Sequence, residues 1–404
     1  MRWEAHARDG RREDVKAPSP DSADDICFEH VKAQVIFIQH RKLLFHLNTP
    51  LKVTHLPSLL YSRSRRPDFY LHDFKNKFPP SPSNMPNIWA DAFKQCFTIP
   101  EPTLTEKNLP DQSGRVCIVT GGYAGCGKEL SKILYGKNAT VYVAGRSEDK
   151  AKNAIEEIKQ AHPSSDGRLE FLNVDLSDLS TIKHSAEDFM KREQRLDVLT
   201  NNAGVMNPPA GSKGAQGHEL QMVTNCLGPY LFTQLLTPLI EKTASSSPPG
   251  SVRVTWAASL GTMASPKPGG VIMQDSGAKV HGSPQVDYAQ SKSGNVLLAR
   301  AYQAEHQNDK IVSNAWNPGN LASELTRHSS WFLVMFVKLL TYPAVYGAYT
   351  ELFAGWADEA GKDEKKGCYI GPWGRFVMLR QDIDENKEGK KFWDWCESET
   401  KAYR

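Results

Sequence analysis

A tyrosine and a lysine four residues apart, Tyr288 and Lys292, are the side chains of this chain best suited to proton transfer. They fall in a segment of helical composition, 288–306, so they share one face of the predicted helix. A free phenol ionises near pH 10. A neighbouring ammonium favours the phenolate, which brings tyrosine closer to acid–base chemistry at neutral pH. Such pairs also arise by chance on surface helices, so this one needs support from other segments.

The stretch 116–130, VCIVTGGYAGCGKEL, indicates where a nucleotide would bind. A β-branched run predicts a buried strand, and a segment of helical composition follows it. Gly121, Gly125 and Gly127 lie in the turn between the two. Glycine lets backbone approach a pyrophosphate, and a helix N-terminus offers it unpaired N–H groups. Taken alone, the glycine pattern also fits an ordinary tight turn.

From residue 115 onward, strand-like and helical segments alternate along the chain. This alternation predicts parallel strands joined by right-handed helical crossovers, which is a Rossmann-type, doubly wound α/β sheet flanked by helices. The predicted strands are 116–120, 140–144, 169–173, 198–201, 252–257 and 311–316. The predicted helices are 128–135, 147–161, 179–192, 218–239 and 288–306.

Residues that follow the predicted strands have the chemistry of a dinucleotide site. After the second strand comes Arg146, whose guanidinium suits a 2′-phosphate, so NADP is favoured over NAD. The alternative is a solvated surface arginine. Asp175, after the third strand, is either a partner for the adenine amino group or a turn residue. Asn202, Ala203 and Gly204 follow the fourth strand, where small residues allow close approach of a cofactor.

Ser259 follows the fifth strand and completes a set of motifs that resembles the short-chain dehydrogenase/reductase family over residues 115–325. Within that family the sequence most resembles the retinol-dehydrogenase-like and fungal secondary-metabolism reductases. The motifs are Thr120-Gly121-x-x-x-Gly125-x-Gly127, Asn201-Asn202-Ala203-Gly204, Ser259, Tyr288-x-x-x-Lys292 and Asn317-Pro318-Gly319.

The resemblance implies catalytic roles for four residues. Tyr288 would be the general acid in reduction and the base in oxidation. Lys292 would hold the nicotinamide ribose and assist the tyrosine. Ser259 would hydrogen-bond the substrate oxygen, and Asn225 would anchor a water molecule for proton relay.

The resemblance also implies that Pro318, Gly319 and Ser323 contact the cofactor, together with the glycine-turn residues, Tyr288 and Lys292. The expected protein is an NADP(H)-dependent oxidoreductase that interconverts a carbonyl and an alcohol on a small lipophilic substrate of retinoid, steroid or polyketide type. Two alternatives stay open. One is a catalytically idle NADP-binding scaffold or redox sensor, and the other is an epimerase or dehydratase of the same fold.

Composition excludes several other classes of protein. A net charge of +3 gives no strong field for nucleic acid or a membrane. Seven scattered cysteines, without a C-x-x-C pair, predict neither a metal site nor a disulfide framework. Cys117 and Cys126 are interpreted as packing residues. No signal sequence or clean membrane span is found, so we expect a cytoplasmic protein.

The chain is predicted to have three parts. Residues 1–84 are a disordered or non-native extension, with Met85 as a candidate start. Residues 85–111 form a lead-in helix and linker, and residues 112–404 form the Rossmann domain. Two segments, 261–287 and 321–349, would shape the substrate site. The second is strongly apolar, which fits a substrate lid, a packed amphipathic helix, or peripheral contact with a membrane or lipid droplet. The oligomeric state, monomer or dimer, is left open.

Overall fold

The computed structural model describes residues 95, 99–307, 310–321, 341–384 and 389–404. All of them belong to one of two units, Pro82–Arg404; the other unit, Met1–Ser81, is outside the described residues. The predictions of an N-terminal extension and a lead-in helix fall outside them too, except for Gln95, which is helical and buried.

Eight strands form one sheet in the order β10-β9-β8-β5-β4-β1-β2-β3. All neighbours are parallel except β9 and β10, which are antiparallel. The prediction of a doubly wound parallel sheet is confirmed, and the six predicted strands differ from the observed ones by at most one residue. The strands are β1 (Val116–Thr120), β2 (Thr140–Gly145), β3 (Arg168–Asn173), β4 (Val198–Asn201), β5 (Val252–Ala257), β6 (Met273–Gln274), β7 (Gly277–Ala278), β8 (Ile311–Trp316), β9 (Tyr369–Gly371) and β10 (Arg375–Phe376). Strands β6 and β7 form a separate hairpin.

The helices connect the strands and cover both faces of the sheet. They are α1 (Gly125–Tyr135), α2 (Glu148–Ala161), α3 (Leu179–Arg192), α4 (Leu220–Met222), α5 (Gly228–Ser245), α6 (Pro284–Glu305), α7 (Ala344–Trp356), α8 (Gln381–Asp384) and α9 (Gly389–Thr400). A π-helical turn, Val223–Leu227, joins α4 to α5. No helix in the described part of the chain is long and apolar enough to cross a membrane.

Side chains of the central strands alternate between two apolar layers, as a sheet buried on both faces requires. In β1, Ile118 points into the layer shared with α3, α5, α6 and α9. Its neighbours Cys117 and Val119 point into the layer shared with α1, α2 and α7. Burial raises the pKa of the Cys117 thiol to about 12, which agrees with a packing role.

The elements after residue 340 were not predicted. Strand β9 has three residues and pairs with the end of β8, and β10 has two. Of the segment predicted as a lid, residues 322–340 lie outside the described part. Helix α7, which begins at Ala344, packs against α1, and its Val345 and Tyr349 contact the apolar layer there.

Helix α7 carries Glu351, whose carboxyl group is fully buried. Neither carboxyl oxygen has a hydrogen-bond partner among the described residues. Burial therefore raises the pKa of the Glu351 carboxyl well above its usual range. A raised pKa in the folded state favours folding below the unfolded pKa, near 4.3, and that advantage is lost as the pH rises through the folded pKa.

Replacing this buried acid should stabilise the protein in a pH-dependent way. We expect Glu351→Met to raise the free energy of unfolding by roughly 1–3 kcal/mol at pH 8, because an unpartnered polar group is removed. The gain should be larger at pH 8 than at pH 5. Urea unfolding at both pH values measures it. Glu148→Met, at an exposed glutamate, is the control and should show no such difference; an equal gain in both variants would contradict the prediction.

Candidate active site

The glycine turn after β1 opens onto a cleft of about 400 Å³ at the carboxyl ends of the strands. Seven of the residues predicted to bind a cofactor line it: Gly121, Gly125, Arg146, Asp175, Asn202, Ala203 and Gly204. Gly121 and Gly125 have φ of +67° and +52°, a backbone conformation that favours glycine. The cleft is therefore shaped mainly by exposed backbone and small side chains, as an extended dinucleotide requires.

Gly127 packs beneath the turn and does not line the cleft. A methyl group placed on it would lie 2.5 Å from Asn202 Nδ2 and 2.8 Å from the Gly121 carbonyl oxygen. Asn202 Nδ2 donates to the Thr120 carbonyl at 2.8 Å, and the Ala203 N–H donates to Thr120 Oγ1 at 2.9 Å. The side chain of Asn202 thus ties the turn after β4 to the turn after β1.

Arg146 lies at the rim of the cleft and is exposed. Among the described residues, none forms a hydrogen bond or ion pair with its guanidinium group. Beside it, the ring of Tyr123 covers Gly145: a methyl group placed on Gly145 would lie 2.9 Å from the tyrosine hydroxyl oxygen. The Tyr123 ring therefore occupies the space that a side chain at position 145 would need.

Asp175 lines the cleft and also closes a turn. Its Oδ1 accepts hydrogen bonds from the Ser177 N–H at 2.9 Å and from Ser177 Oγ at 2.6 Å. The interpretation of Asp175 as a turn residue thus holds. A contact with adenine is compatible with it, because a carboxylate has further acceptor sites.

Lys292 is anchored at the end of β5. Its Nζ donates to the Ala257 carbonyl at 2.9 Å, and Asn295 Nδ2 donates to the same oxygen at 2.7 Å. The lysine is 5% exposed, and no carboxylate pairs with it among the described residues. An ammonium has three donors, so two remain for a ligand. A buried, unpaired charge is costly, and such a cost is typical of a functional residue.

The side chains of Tyr288 and Ser259 both lie next to Gly261. A methyl group placed on Gly261 would lie 3.4 Å from Tyr288 Cε1 and 3.5 Å from Ser259 Oγ. Lys292 Nζ lies 5.7 Å from the centre of the Tyr288 ring. Ser259 Oγ accepts a hydrogen bond from the Gly261 N–H at 3.1 Å, which leaves its own proton available to a substrate oxygen. The structure thus brings together the serine, tyrosine and lysine predicted from the sequence.

Asn225 lies in the π-helical turn and is fully buried. Its Oδ1 accepts from the Val205 N–H at 2.8 Å, and its Nδ2 donates to the Val205 carbonyl at 3.0 Å and to Ser291 Oγ at 2.9 Å. A methyl group on Gly204 would lie 3.0 Å from Asn225 Oδ1 and 3.3 Å from Lys292 Nζ. Asn225 therefore fastens the turn after β4 next to the lysine.

Three of the residues predicted to contact the cofactor, Pro318, Gly319 and Ser323, follow β8 in the sequence. Pro318 and Gly319 do not line the cleft; Gly319 has φ of +86° and donates its N–H to Asn317 Oδ1 at 3.0 Å. Ser323 lies outside the described residues.

Cys126 lines the cleft. Burial raises the pKa of its thiol, and the nearby Glu351 carboxyl adds to this shift. This thiol stays protonated, in agreement with a packing role.

Sequence reasoning missed three residues around this site: Tyr123, Tyr369 and Arg380. Tyr123 stands inside the glycine motif, so its position was visible but its contact with Gly145 was not. The Tyr369 hydroxyl donates to the Ser259 carbonyl at 3.0 Å, and Arg380 contacts the segment that follows Ser259. No local pattern marks these last two, which lie more than 100 residues away.

Comparisons with known proteins identify the family to which the chain belongs. The profile described as short chain dehydrogenase matches residues 115–252. A short-chain dehydrogenase/reductase of Phomopsis amygdali is 47% identical over 336 residues, covering 80% of this chain and 98% of the relative. Short-chain dehydrogenase/reductase pkfC of Emericella nidulans is 43% identical over 305 residues, covering 75% and 97%.

Solved structures agree on the fold. A crystal structure of a protein from Mycobacterium Paratuberculosis has a TM-score of 0.56 at 25% identity, covering 74% of this chain and 97% of that one. Levodione reductase has a TM-score of 0.51 at 20% identity, covering 65% and 97%. With the two fungal relatives covered almost completely, the chain belongs to the short-chain dehydrogenase/reductase family of oxidoreductases.

Proposed function

We propose that this protein is an NADP(H)-dependent oxidoreductase that interconverts a carbonyl and an alcohol on a small lipophilic substrate, with Tyr288 as the general acid and base. The observation that carries the proposal is the meeting of Ser259, Tyr288 and Lys292 at the end of β5, beside the glycine-lined cleft. An oxygen atom between Ser259 and Tyr288 would meet two hydroxyl groups, one to position it and one to protonate it.

The chain's own residues orient the substrate and move the proton. A bound nicotinamide dinucleotide would supply or accept the hydride. In reduction, Ser259 donates a hydrogen bond to the carbonyl oxygen, and Tyr288 gives its proton to that oxygen as the alcohol forms. The Lys292 ammonium favours the resulting phenolate through its positive charge. In oxidation the same tyrosine takes the proton back.

The preference for NADP rests on Arg146 and Gly145 at the rim of the cleft. A guanidinium that has no partner among the described residues is suited to a 2′-phosphate. Glycine at position 145 leaves no carboxylate to repel that phosphate. Gly121, Gly125, Asn202, Ala203 and Gly204 would hold the rest of the dinucleotide. The lipophilic substrate is inferred from the apolar composition of residues 321–349 and from Met206, which follows the turn after β4 and is 38% exposed.

Removal of the Tyr288 hydroxyl should remove the proton source. We expect Tyr288→Phe to lower kcat by roughly 10²–10⁴-fold, the usual contribution of acid–base catalysis, while NADPH binding is retained. Turnover is followed as NADPH consumption with a panel of hydrophobic ketones and aldehydes. Tyr302→Phe is the control, because it removes a buried hydroxyl from the same helix, α6, where that hydroxyl is hydrogen-bonded to Thr237 of α5. Full activity in Tyr288→Phe would refute the catalytic assignment.

The same assay separates this proposal from its alternatives. Stoichiometric oxidation of NADPH with formation of an alcohol is expected of the oxidoreductase. An idle scaffold would bind NADPH and consume none, whereas an epimerase or dehydratase would convert its substrate without net consumption of cofactor.

Loss of the Arg146 guanidinium should weaken binding of NADPH and not of NADH. Charge-assisted hydrogen bonds contribute about 1.5–3 kcal/mol, so Arg146→Ala should raise the Kd for NADPH by roughly 10–100-fold. Fluorescence of the bound reduced nicotinamide measures both constants. Lys150→Ala, which removes a nearby exposed cation, should change neither. A parallel loss of both cofactors in Arg146→Ala would contradict the 2′-phosphate assignment.

Because Tyr123 fills the space above Gly145, a change toward NADH needs both positions. Gly145→Asp alone should lower the melting temperature and weaken both cofactors. Tyr123→Ala combined with Gly145→Asp should shift the ratio of NADPH to NADH affinity toward NADH by roughly 10–100-fold, the worth of charged hydrogen bonds to the ribose. Tyr123→Ala alone is the control. A full shift in the single variant Gly145→Asp would disprove this steric coupling.

A further inference from the structure

Ser259 begins a short segment that the C-terminal part of the chain holds at both ends. The segment forms a 3₁₀ helix, Leu260–Ala264, with Ser259 as its N-cap residue. The Tyr369 hydroxyl donates to the Ser259 carbonyl at 3.0 Å. Burial raises the pKa of the Tyr369 phenol, so this group stays a protonated donor. The other end of the segment meets Arg380.

Arg380 is 6% exposed and directs its guanidinium at the carbonyls that end the 3₁₀ helix. Its Nη1 donates to the Ser265 carbonyl at 2.8 Å and to the Met263 carbonyl at 3.2 Å. Its Nη2 donates to the Pro266 carbonyl at 3.0 Å. Carbonyls at a helix C-terminus lack partners within the helix and attract cations, so this guanidinium stabilises the turn.

Asp382 fixes the orientation of the guanidinium. Its Oδ1 accepts from Arg380 Nε at 2.5 Å and its Oδ2 accepts from Arg380 Nη2 at 3.0 Å. Oδ2 also accepts from the Gly269 N–H at 2.8 Å. Burial acts to raise the pKa of the Asp382 carboxyl, but the hydrogen bonds from Arg380 and Gly269 lower it overall. All five donors of Arg380 thus have acceptors, an arrangement that the three donors of lysine cannot reproduce.

We propose that Arg380 is a positioning residue for the reaction: it holds the 3₁₀ helix whose Gly261 N–H fixes Ser259 Oγ, and so sets the hydroxyl that orients the substrate. This inference rests on the proposed function. The path runs from Arg380 through the 3₁₀ helix and the Gly261 N–H to Ser259 Oγ, at 3.1 Å. Arg380 does not enter the nucleotide cleft, so it should affect turnover and not cofactor binding.

The test compares Arg380→Lys with Arg253→Lys. Arg253 is also a buried arginine, 5% exposed, and donates to the carbonyls of Gly250 and Ala354 at 2.7 and 3.2 Å. Arg253 lies at the opposite end of β5 from Ser259. Because both arginines are buried and hydrogen-bonded, both variants should have a lower free energy of unfolding in urea. Only Arg380→Lys should lower kcat, by roughly 10–100-fold, as expected for a small misplacement of a reacting group. The Kd for NADPH should stay within twofold of wild type.

A double-mutant cycle shows whether Arg380 acts through Ser259. If it does, Ser259→Ala combined with Arg380→Lys should turn over no more slowly than Ser259→Ala alone. Additive losses, or equal losses of kcat in Arg380→Lys and Arg253→Lys, would overturn the inference. Tyr369→Phe keeps the ring and its packing but removes the hydrogen bond to the Ser259 carbonyl. It should lower kcat in the same non-additive way, and it replaces Arg380→Lys in the test if that variant does not fold.

The outcomes separate this inference from the proposed function. Undiminished turnover in Ser259→Ala would contradict the proposed function itself. Loss of turnover in Ser259→Ala with normal turnover in both Arg380→Lys and Tyr369→Phe would contradict the positioning role alone. Amide hydrogen exchange reports on the segment directly: residues 261–270 should exchange faster in Arg380→Lys and not in Arg253→Lys.

Discussion

The carbonyl group of Ala257 is the acceptor on which the candidate active site depends. It receives one hydrogen bond from Lys292 and one from Asn295, both on α6. Because β5 pairs with β4 on one side and β8 on the other, the sheet fixes this carbonyl in space. These bonds fix helix α6 against the sheet at a defined point. Tyr288 lies one helical turn before Lys292 on the same helix, and this places it near Ser259. One buried acceptor thus relates the position of Tyr288, the proposed proton donor, to that of Ser259, the hydroxyl proposed to bind the substrate.

The rest of the site follows from the order of the strands. The glycine turn follows β1, the Asn202-Ala203-Gly204 turn follows β4, Ser259 follows β5, and Asn317 follows β8. These four strands are adjacent in the sheet, with β2 and its Arg146 next to β1. Parallel strands bring all these carboxyl ends to one edge, where open α/β sheets bind ligands. The order of the strands therefore brings to one edge of the sheet residues that are far apart in the sequence, from Gly121 to Asn317.

This explains what the sequence could and could not predict. Strand Val116–Thr120, VCIVT, is a continuous run of apolar and β-branched residues, so its extent is a local property of the chain. The pairing of Tyr288 with Lys292 follows from helical spacing. Strand β9 is too short to have a pattern and forms by pairing with β8. The contacts of Tyr369 and Arg380 depend on the path of the chain after residue 340, and no hydrophobic pattern in the sequence predicts that path.

The π-helical turn that holds Asn225 has a consequence for how the length of this protein can vary. Each residue advances an α-helix by about 100°, and the turn Val223–Leu227 accommodates one residue more than a regular helix would. Deleting a single residue there would rotate α5 relative to α4, so that Asn225 and the buried Tyr230 and Phe232 could not all keep their present faces. Insertions and deletions among relatives should accumulate in the surface loops and be absent between Glu219 and Phe232.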